Sequence, residues 1–224
     1  MALTLVIGNK NYSSWSFRPW IAMTAAGIAF TEELIPLYRD GSKERILAHS
    51  PAGKVPALID GNVQIWESLA ILEHLAERFP AAGLWPSDLN ARAYARAVAA
   101  EMHAGFGPLR KHCPMNFWRP VIRRDLPDDV AANVKRIDTM WNDCRIRFGG
   151  GGPFLFGTFS AADAMYAPVV SRFHTYDVAV SPSSRAYMEA VMALPAWAQW
   201  KAAALAEEWV LAEDEPDWPT VLKV

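Results

Sequence analysis

A change of pattern at Pro80 constrains this chain more than any other feature. Before it, short apolar runs alternate with helical spacing. Leu3 to Ile7 is apolar and rich in β-branched residues, which predicts a strand over 3–8. A helix follows over 16–27 and stops at Gly27. A strand near 30–37 and a short helical stretch near 42–49 come next. Val55-Pro56-Ala57-Leu58-Ile59 runs into Asp60-Gly61-Asn62, a hairpin signal, and then a strand over 63–66. Leu69, Ile71, Leu72, Leu75 and Phe79 recur at helical spacing up to Pro80. The order is β-α-β-α-β-β-α, a small α/β layer. Residues 80–89 are rich in Pro and Gly and read as a linker. Beyond them only helices are predicted, near 90–112, 127–148, 160–177, 183–194 and 195–208, with Gly149 to Pro153 as a breaker. The chain therefore divides into 1–80, a connection over 81–89, and 90–224.

Composition narrows the function classes. The 224 residues are 52% hydrophobic, enough for a sizeable core, and the net charge is −2. No basic tract of the nucleic-acid type is present, and no polybasic membrane anchor. Lys10 and Arg18 interrupt any apolar leader, and no run reaches the ~18 apolar residues of a membrane span. Cys113 and Cys144 lie far apart without C-x-x-C spacing, so neither a disulfide framework nor a metal site is indicated. A cytoplasmic protein with free thiols and no metal is expected.

Three segments carry chemistry. Tyr12-Ser13-Ser14-Trp15-Ser16-Phe17-Arg18-Pro19-Trp20 spans the junction of the first strand and first helix. Hydroxyls and unpaired N–H groups at a helix start suit an anion: a carboxylate, a phosphate or a thiolate. Gly53-Lys54-Val55-Pro56-Ala57-Leu58 sets a proline at the head of a strand. A cis Val55-Pro56 bond would turn the Val55 backbone outward, free for a ligand. Trp66-Glu67-Ser68-Leu69 opens the last helix of the layer, where serine caps and a carboxylate suits the dipole. Read alone, Glu67 and Ser68 are ordinary capping residues.

These segments, in this order, resemble the cytosolic glutathione S-transferases. Ser13-Ser14-Trp15-Ser16-Phe17-Arg18 is most similar to the zeta class, which includes maleylacetoacetate isomerases. Phe156-Gly157-Thr158-Phe159-Ser160-Ala161-Ala162-Asp163, a turn followed by an S-x-x-D capping box, matches the family's signature at a helix start in the second domain. The resemblance covers nearly the whole chain. It implies a thioredoxin-like N-terminal domain followed by an all-helical domain, glutathione as co-substrate, a small electrophile as second substrate, and a homodimer.

The resemblance also assigns roles. Glu67 would meet the γ-glutamyl ammonium. Ser68 and the N–H groups beside it would take the γ-glutamyl carboxylate. The Val55 backbone, ahead of Pro56, would pair with the cysteinyl backbone, and Lys54 would reach the glycyl carboxylate; His49 lies nearby. The thiol would sit over Ser13 or Ser14. Ser13 fits the zeta pattern, Ser14 the theta-like one, and Tyr12 is a lesser rival. Ser16 is expected to cap the helix, and Arg18 to be structural. A free thiol has a pKa of ~8.5, and lowering it by ~2 units takes about 2.7 kcal/mol. One hydrogen bond to a charged acceptor supplies ~1.5–3 kcal/mol and a helix start ~0.3–1 more, so a serine suffices. Trp15 stands beside the thiol where zeta-like proteins carry cysteine, either narrowing the acceptor pocket or packing on the helical half. Met102, Phe106, Arg110, Phe117 and Trp118 are the candidate lining of that pocket. Transfer of the glutathione thiolate to small electrophiles is the leading reading. A glutathione-dependent isomerase and a non-catalytic binding module are the alternatives.

Overall fold

The structure is a computed structural model and describes residues 2–224. Its sheet is built on β1 (Leu3–Ile7). β1 pairs in parallel with β2 (Phe30–Leu34) and antiparallel with β3 (Ala57–Asp60), and β3 pairs antiparallel with β4 (Val63–Trp66), in the order β2-β1-β3-β4. Both faces of β1 are covered, which explains its near-continuous apolar run. Leu3, Leu5 and Ile7 pack with Ile21 of α1 (Ser14–Ala25) and Leu72 and Leu75 of α3 (Ser68–Arg78). Val6 and Ala57 face Ile35 and Ile46, the latter on α2 (Ser42–His49). Val6 opposite Ala57 is the last pair of the β1–β3 ladder, so Val55 and Pro56 fall just past the end of β1, where α1 begins.

The remainder is helical: α4 (Leu89–Ala104), α5 (Gly107–His112), α6 (Asp128–Phe148), α7 (Ala161–Thr175), α8 (Pro182–Met192) and α9 (Pro195–Leu205). The architecture is the expected thioredoxin-like layer followed by an all-helical half. α7 is its axle. Every residue of α7 except His174 is buried, and it packs on both α1 and α4. Ala161, Ala162, Ala164 and Ala167 keep it slim enough for that. Its start is fixed as the S-x-x-D pattern predicts. The Asp163 carboxylate accepts from the Ser160 N–H and hydroxyl, both at 2.8 Å, and from the Leu155 N–H at 3.1 Å.

Where prediction and structure differ, the cause is local. The helix expected over 90–112 is two, because the chain breaks at Gly105 and Phe106 takes φ 58°. The strand expected over 30–37 ends at Leu34, ahead of Pro36, which has no ladder donor. The connection after α3 is not loose: Leu84 and Trp85 are buried, and the Leu84 carbonyl accepts the Ala161 N–H at 2.7 Å. The C-terminal tail is irregular but anchored. Glu207 accepts the Lys10 and Asn11 N–H groups, and Glu215 accepts the Tyr12 hydroxyl at 2.5 Å and an Asn116 amide N–H at 2.9 Å. No helix among the described residues is long and apolar enough to cross a membrane.

Candidate functional site

The first turn of α1 is left uncapped. Ser13 is its N-cap, yet the hydroxyl makes no bond to the helix N–H groups, as an N-cap serine ordinarily would. Ser13 Oγ instead lies 2.8 Å from Ser16 Oγ, which accepts the Gly8 N–H at 3.0 Å. Among the described residues, Ser13 Oγ is the only acceptor within reach of the Ser16 proton. Donation from Ser16 to Ser13 leaves the Ser13 proton free to point into the adjoining cavity. The Trp15 and Ser16 N–H groups have no acceptor among the described residues. The sequence pointed to Ser16 as the cap; the structure puts Ser13 there, with Ser16 one turn on as its prop.

Ser14 is the first helical residue. Its N–H reaches the Tyr12 carbonyl at 2.8 Å, and its hydroxyl has no hydrogen-bond partner among the described residues. Both serines line the same cavity, of about 580 Å³. Tyr12 lines it too, but its hydroxyl is committed. Burial, then the bond to Glu215, pushes that phenol well above its ordinary range.

A second cavity of about 260 Å³ adjoins the first, and Trp15, Lys54 and Val55 belong to both. Pro56, Glu67, Ser68 and His103 close it. The Val55-Pro56 bond is cis, and neither polar group of the Val55 backbone pairs with the described residues. Glu67 is the N-cap of α3 in a left-handed conformation, φ 68° and ψ 122°, a strained geometry for a residue with a side chain. Its exposed carboxylate lies 3.4 Å from His103 Nε2. Ser68 is fully buried, and its hydroxyl meets only Met165 Sδ, at 3.9 Å. Lys54 is exposed and makes no salt bridge or hydrogen bond among the described residues. His49 lies outside both cavities and pairs with Glu33 at 3.2 Å.

The sequence-based lining of the second-substrate pocket needs correction. Of its five residues only Arg110 lines either of these two cavities. Met102, Phe106, Phe117 and Trp118 are buried in the core. Phe117 packs edge-on against Phe17 and Trp197, and the Trp118 indole N–H donates to the Ala204 carbonyl at 2.7 Å. Met102 lies on α4, Phe106 in the break before α5, and Phe117 and Trp118 in the connection after α5; an apolar side chain at any of these places satisfies either role, so sequence could not separate them. On its side toward the helical half, the larger cavity is lined besides Arg110 by Met115, Arg172 and Asp214, from a loop, α7 and the tail. No local pattern linked those three.

Positive charge gathers behind the serines. Arg18 is fully buried; its Nε donates to the Met165 carbonyl at 3.0 Å, while both terminal nitrogens lack partners. Burial, then Arg172 and Arg110, drives its guanidinium well below the ordinary range. Guanidinium groups keep their proton in proteins, so this direction marks a cation without a counter-charge. Trp15 lies against it at 4.0 Å, with Arg110 at 5.2 Å from the same ring and His103 edge-on at 5.3 Å. Trp15 thus packs on His103 and Arg110 of the helical half and lines both cavities.

The chain matches two family models, "Glutathione S-transferase, N-terminal domain" over residues 12–78 and "Glutathione S-transferase, C-terminal domain" over residues 92–203. It is 37% identical to a maleylacetoacetate isomerase of Rattus norvegicus, over 76% of this chain and 78% of that protein. It is 38% identical to a probable maleylacetoacetate isomerase of Caenorhabditis elegans over 43% of this chain and 45% of that one, and 37% identical to the Pseudomonas aeruginosa maleylacetoacetate isomerase over 48% and 52%. The chain thus spans about half the length of these last two relatives. A glutathione transferase homologue from Burkholderia, solved with bound glutathione, shares the fold with a TM-score of 0.70 at 22% identity, covering 92% of this chain and all of that one (100%).

Proposed function

Since the chain belongs to the glutathione S-transferase family, we propose that it activates the thiol of glutathione and transfers it to small electrophiles. The observation that carries this reading is the uncapped start of α1. The Ser13 hydroxyl lines a cavity that Arg110 and Arg172 enter, and beside it the Trp15 and Ser16 N–H groups have no acceptor among the described residues, the environment a thiolate needs.

Glutathione would lie along the joined cavities. The γ-glutamyl carboxylate would take Ser68 and the start of α3, and the ammonium Glu67. The free backbone groups of Val55, presented ahead of Pro56, would pair with the cysteinyl unit, and Lys54 would meet the glycyl carboxylate. Trp15, common to both cavities, would lie beside the thiol. Ser13 would donate to the sulfur, its proton aimed outward by the Gly8-to-Ser16 chain of donors. Ser14, next to it and unbonded, is the second candidate. The thiolate would then attack the electrophilic carbon of a partner bound between the serines and Arg110. A glutathione-dependent isomerase is the second reading, favoured by the similarity to maleylacetoacetate isomerases across three quarters of the chain. Residues 81–89 would join the two domains, and the protein would work as a cytoplasmic homodimer.

Calorimetric titration with glutathione, followed by conjugation of 1-chloro-2,4-dinitrobenzene, tests the proposal. Saturable binding with turnover above the uncatalysed rate supports it. Binding without turnover of this or any electrophile would favour a binding module, and absence of binding would remove the glutathione reading.

A further inference from the structure

The loop between β1 and α1, which ends on Ser13, is gripped from the far end of the chain. Glu207, just after α9, accepts the Lys10 N–H at 2.6 Å with one carboxylate oxygen and the Asn11 N–H at 3.0 Å with the other. The Lys10 carbonyl accepts the Trp200 indole N–H at 2.9 Å. The grip reaches Ser13 through a single peptide unit. The Asn9 carbonyl and the Lys10 N–H are opposite edges of the same plane, and that carbonyl accepts the Ser13 N–H at 2.7 Å. Because a peptide is planar, a carboxylate that fixes the N–H also fixes where the carbonyl points.

Glu207 is 7% exposed and makes no salt bridge among the described residues, while the Lys10 ammonium goes to Glu32 at 2.8 Å. A buried carboxylate without a cation is costly. The tail does not need it for attachment, since Leu211 already packs with Tyr12 and Trp118. What the carboxylate adds is direction. Two successive N–H groups make a concave donor pair suited to an anion. A carboxamide offers one acceptor oxygen and turns an N–H donor toward the second group.

We propose that Glu207 is a positioning residue for the Ser13 hydroxyl, acting through the Asn9–Lys10 peptide to aim it at the glutathione sulfur. The inference rests on the reading of Ser13 as thiol donor. Glu207 lines neither of the two cavities, so its effect on the thiol is transmitted through the loop.

The test is a double-mutant cycle of Glu207→Gln with Ser13→Ala, read by the ultraviolet thiolate absorbance of bound glutathione. Glu207→Gln should raise the bound-thiol pKa by roughly one unit, part of the ~1–2 units carried by the serine's hydrogen bond, and lower kcat roughly fivefold at pH 6.5. The direction separates positioning from charge, because loss of a nearby anion by its field alone would lower that pKa. In the Ser13→Ala background Glu207→Gln should add no further shift, since the group it aims is gone. Glu207→Asp keeps the charge on a shorter arm, should shift the pKa in the same direction, and takes the place of Gln in the cycle if that variant does not fold. A pKa unchanged or lowered by the Glu207 substitution would overturn the inference and leave the glutathione reading standing. A shift of equal size in both backgrounds would overturn it as well. A Ser13→Ala protein whose own bound-thiol pKa matches wild type would remove the thiol-donor reading, and this inference with it, and absence of glutathione binding would do the same.

Discussion

Ser13→Ala isolates the hydroxyl on which the proposed chemistry turns. The substitution removes one oxygen at a position only 7% exposed and leaves the α1 N–H groups as they are, since Ser13 does not bond them. The fold should lose little. A hydrogen bond to a charged acceptor is worth ~1.5–3 kcal/mol, or about 1–2 pKa units at 1.36 kcal/mol each. If the bound thiol titrates near ~6.5 in the wild type, it should titrate near ~8 in the variant. The thiolate fraction at pH 6.5 then falls from about one half to a few per cent, and kcat with it by roughly fifteenfold. Near pH 9 both proteins are mostly ionised, and the deficit should shrink to about twofold or less. The assay is the pH profile of kcat with saturating glutathione and a fixed electrophile, for wild type, Ser13→Ala and Ser14→Ala. A loss in Ser13→Ala that is the same at every pH would refute the role as thiol donor. A shifted profile in Ser14→Ala alone would move that role to Ser14.

Other outcomes follow from the same geometry. Glu67→Ala should raise the glutathione Kd about tenfold with little change in kcat, because the ammonium loses its partner; unchanged affinity by calorimetry would displace the γ-glutamyl group from this cavity. Arg18→Met removes a buried cation without a counter-charge, so it should leave Tm unchanged or raised while the bound thiol pKa rises; a large drop in Tm would contradict the reading of Arg18 as uncompensated. Asp163→Ala strips three bonds from the start of the central helix and should cost about 2–4 kcal/mol in urea unfolding, and a loss below about 0.5 kcal/mol would show that the capping box is dispensable. Burial above all holds the Asp214 carboxyl up at about 6. Since it titrates near ~4 in the unfolded chain, its contribution to folding is full below that pH and is lost as pH rises through about 6. Asp214→Asn should therefore gain Tm relative to wild type between pH 4 and 7.5, and a constant difference would contradict it.

Much of this was legible in the sequence because it is local. β1 declares itself by an apolar run that both faces of the sheet require, and α7 by a capping box four residues wide. Ser13, Ser14, Lys54, Val55, Glu67 and Ser68 all sit at element ends, where one hydroxyl, proline or carboxylate changes the backbone's options. The far wall of the cavity was not legible. Arg172 lies in a helix of mostly apolar and small residues, and Asp214 in a tail without periodicity. They meet Arg110 only because α7 runs through the centre of the molecule and the tail returns to Tyr12. Met102, Phe106, Phe117 and Trp118 show the converse. Their spacing marks a buried face and carries no information on whether a ligand or another helix buries it.

The central claim is that the start of α1 holds a thiolate. Titration of the ultraviolet thiolate absorbance of glutathione bound to the wild-type protein measures it directly. The account predicts a bound-thiol pKa about 2 units below the ~8.5 of the free thiol. Saturable binding with an unshifted pKa would contradict it.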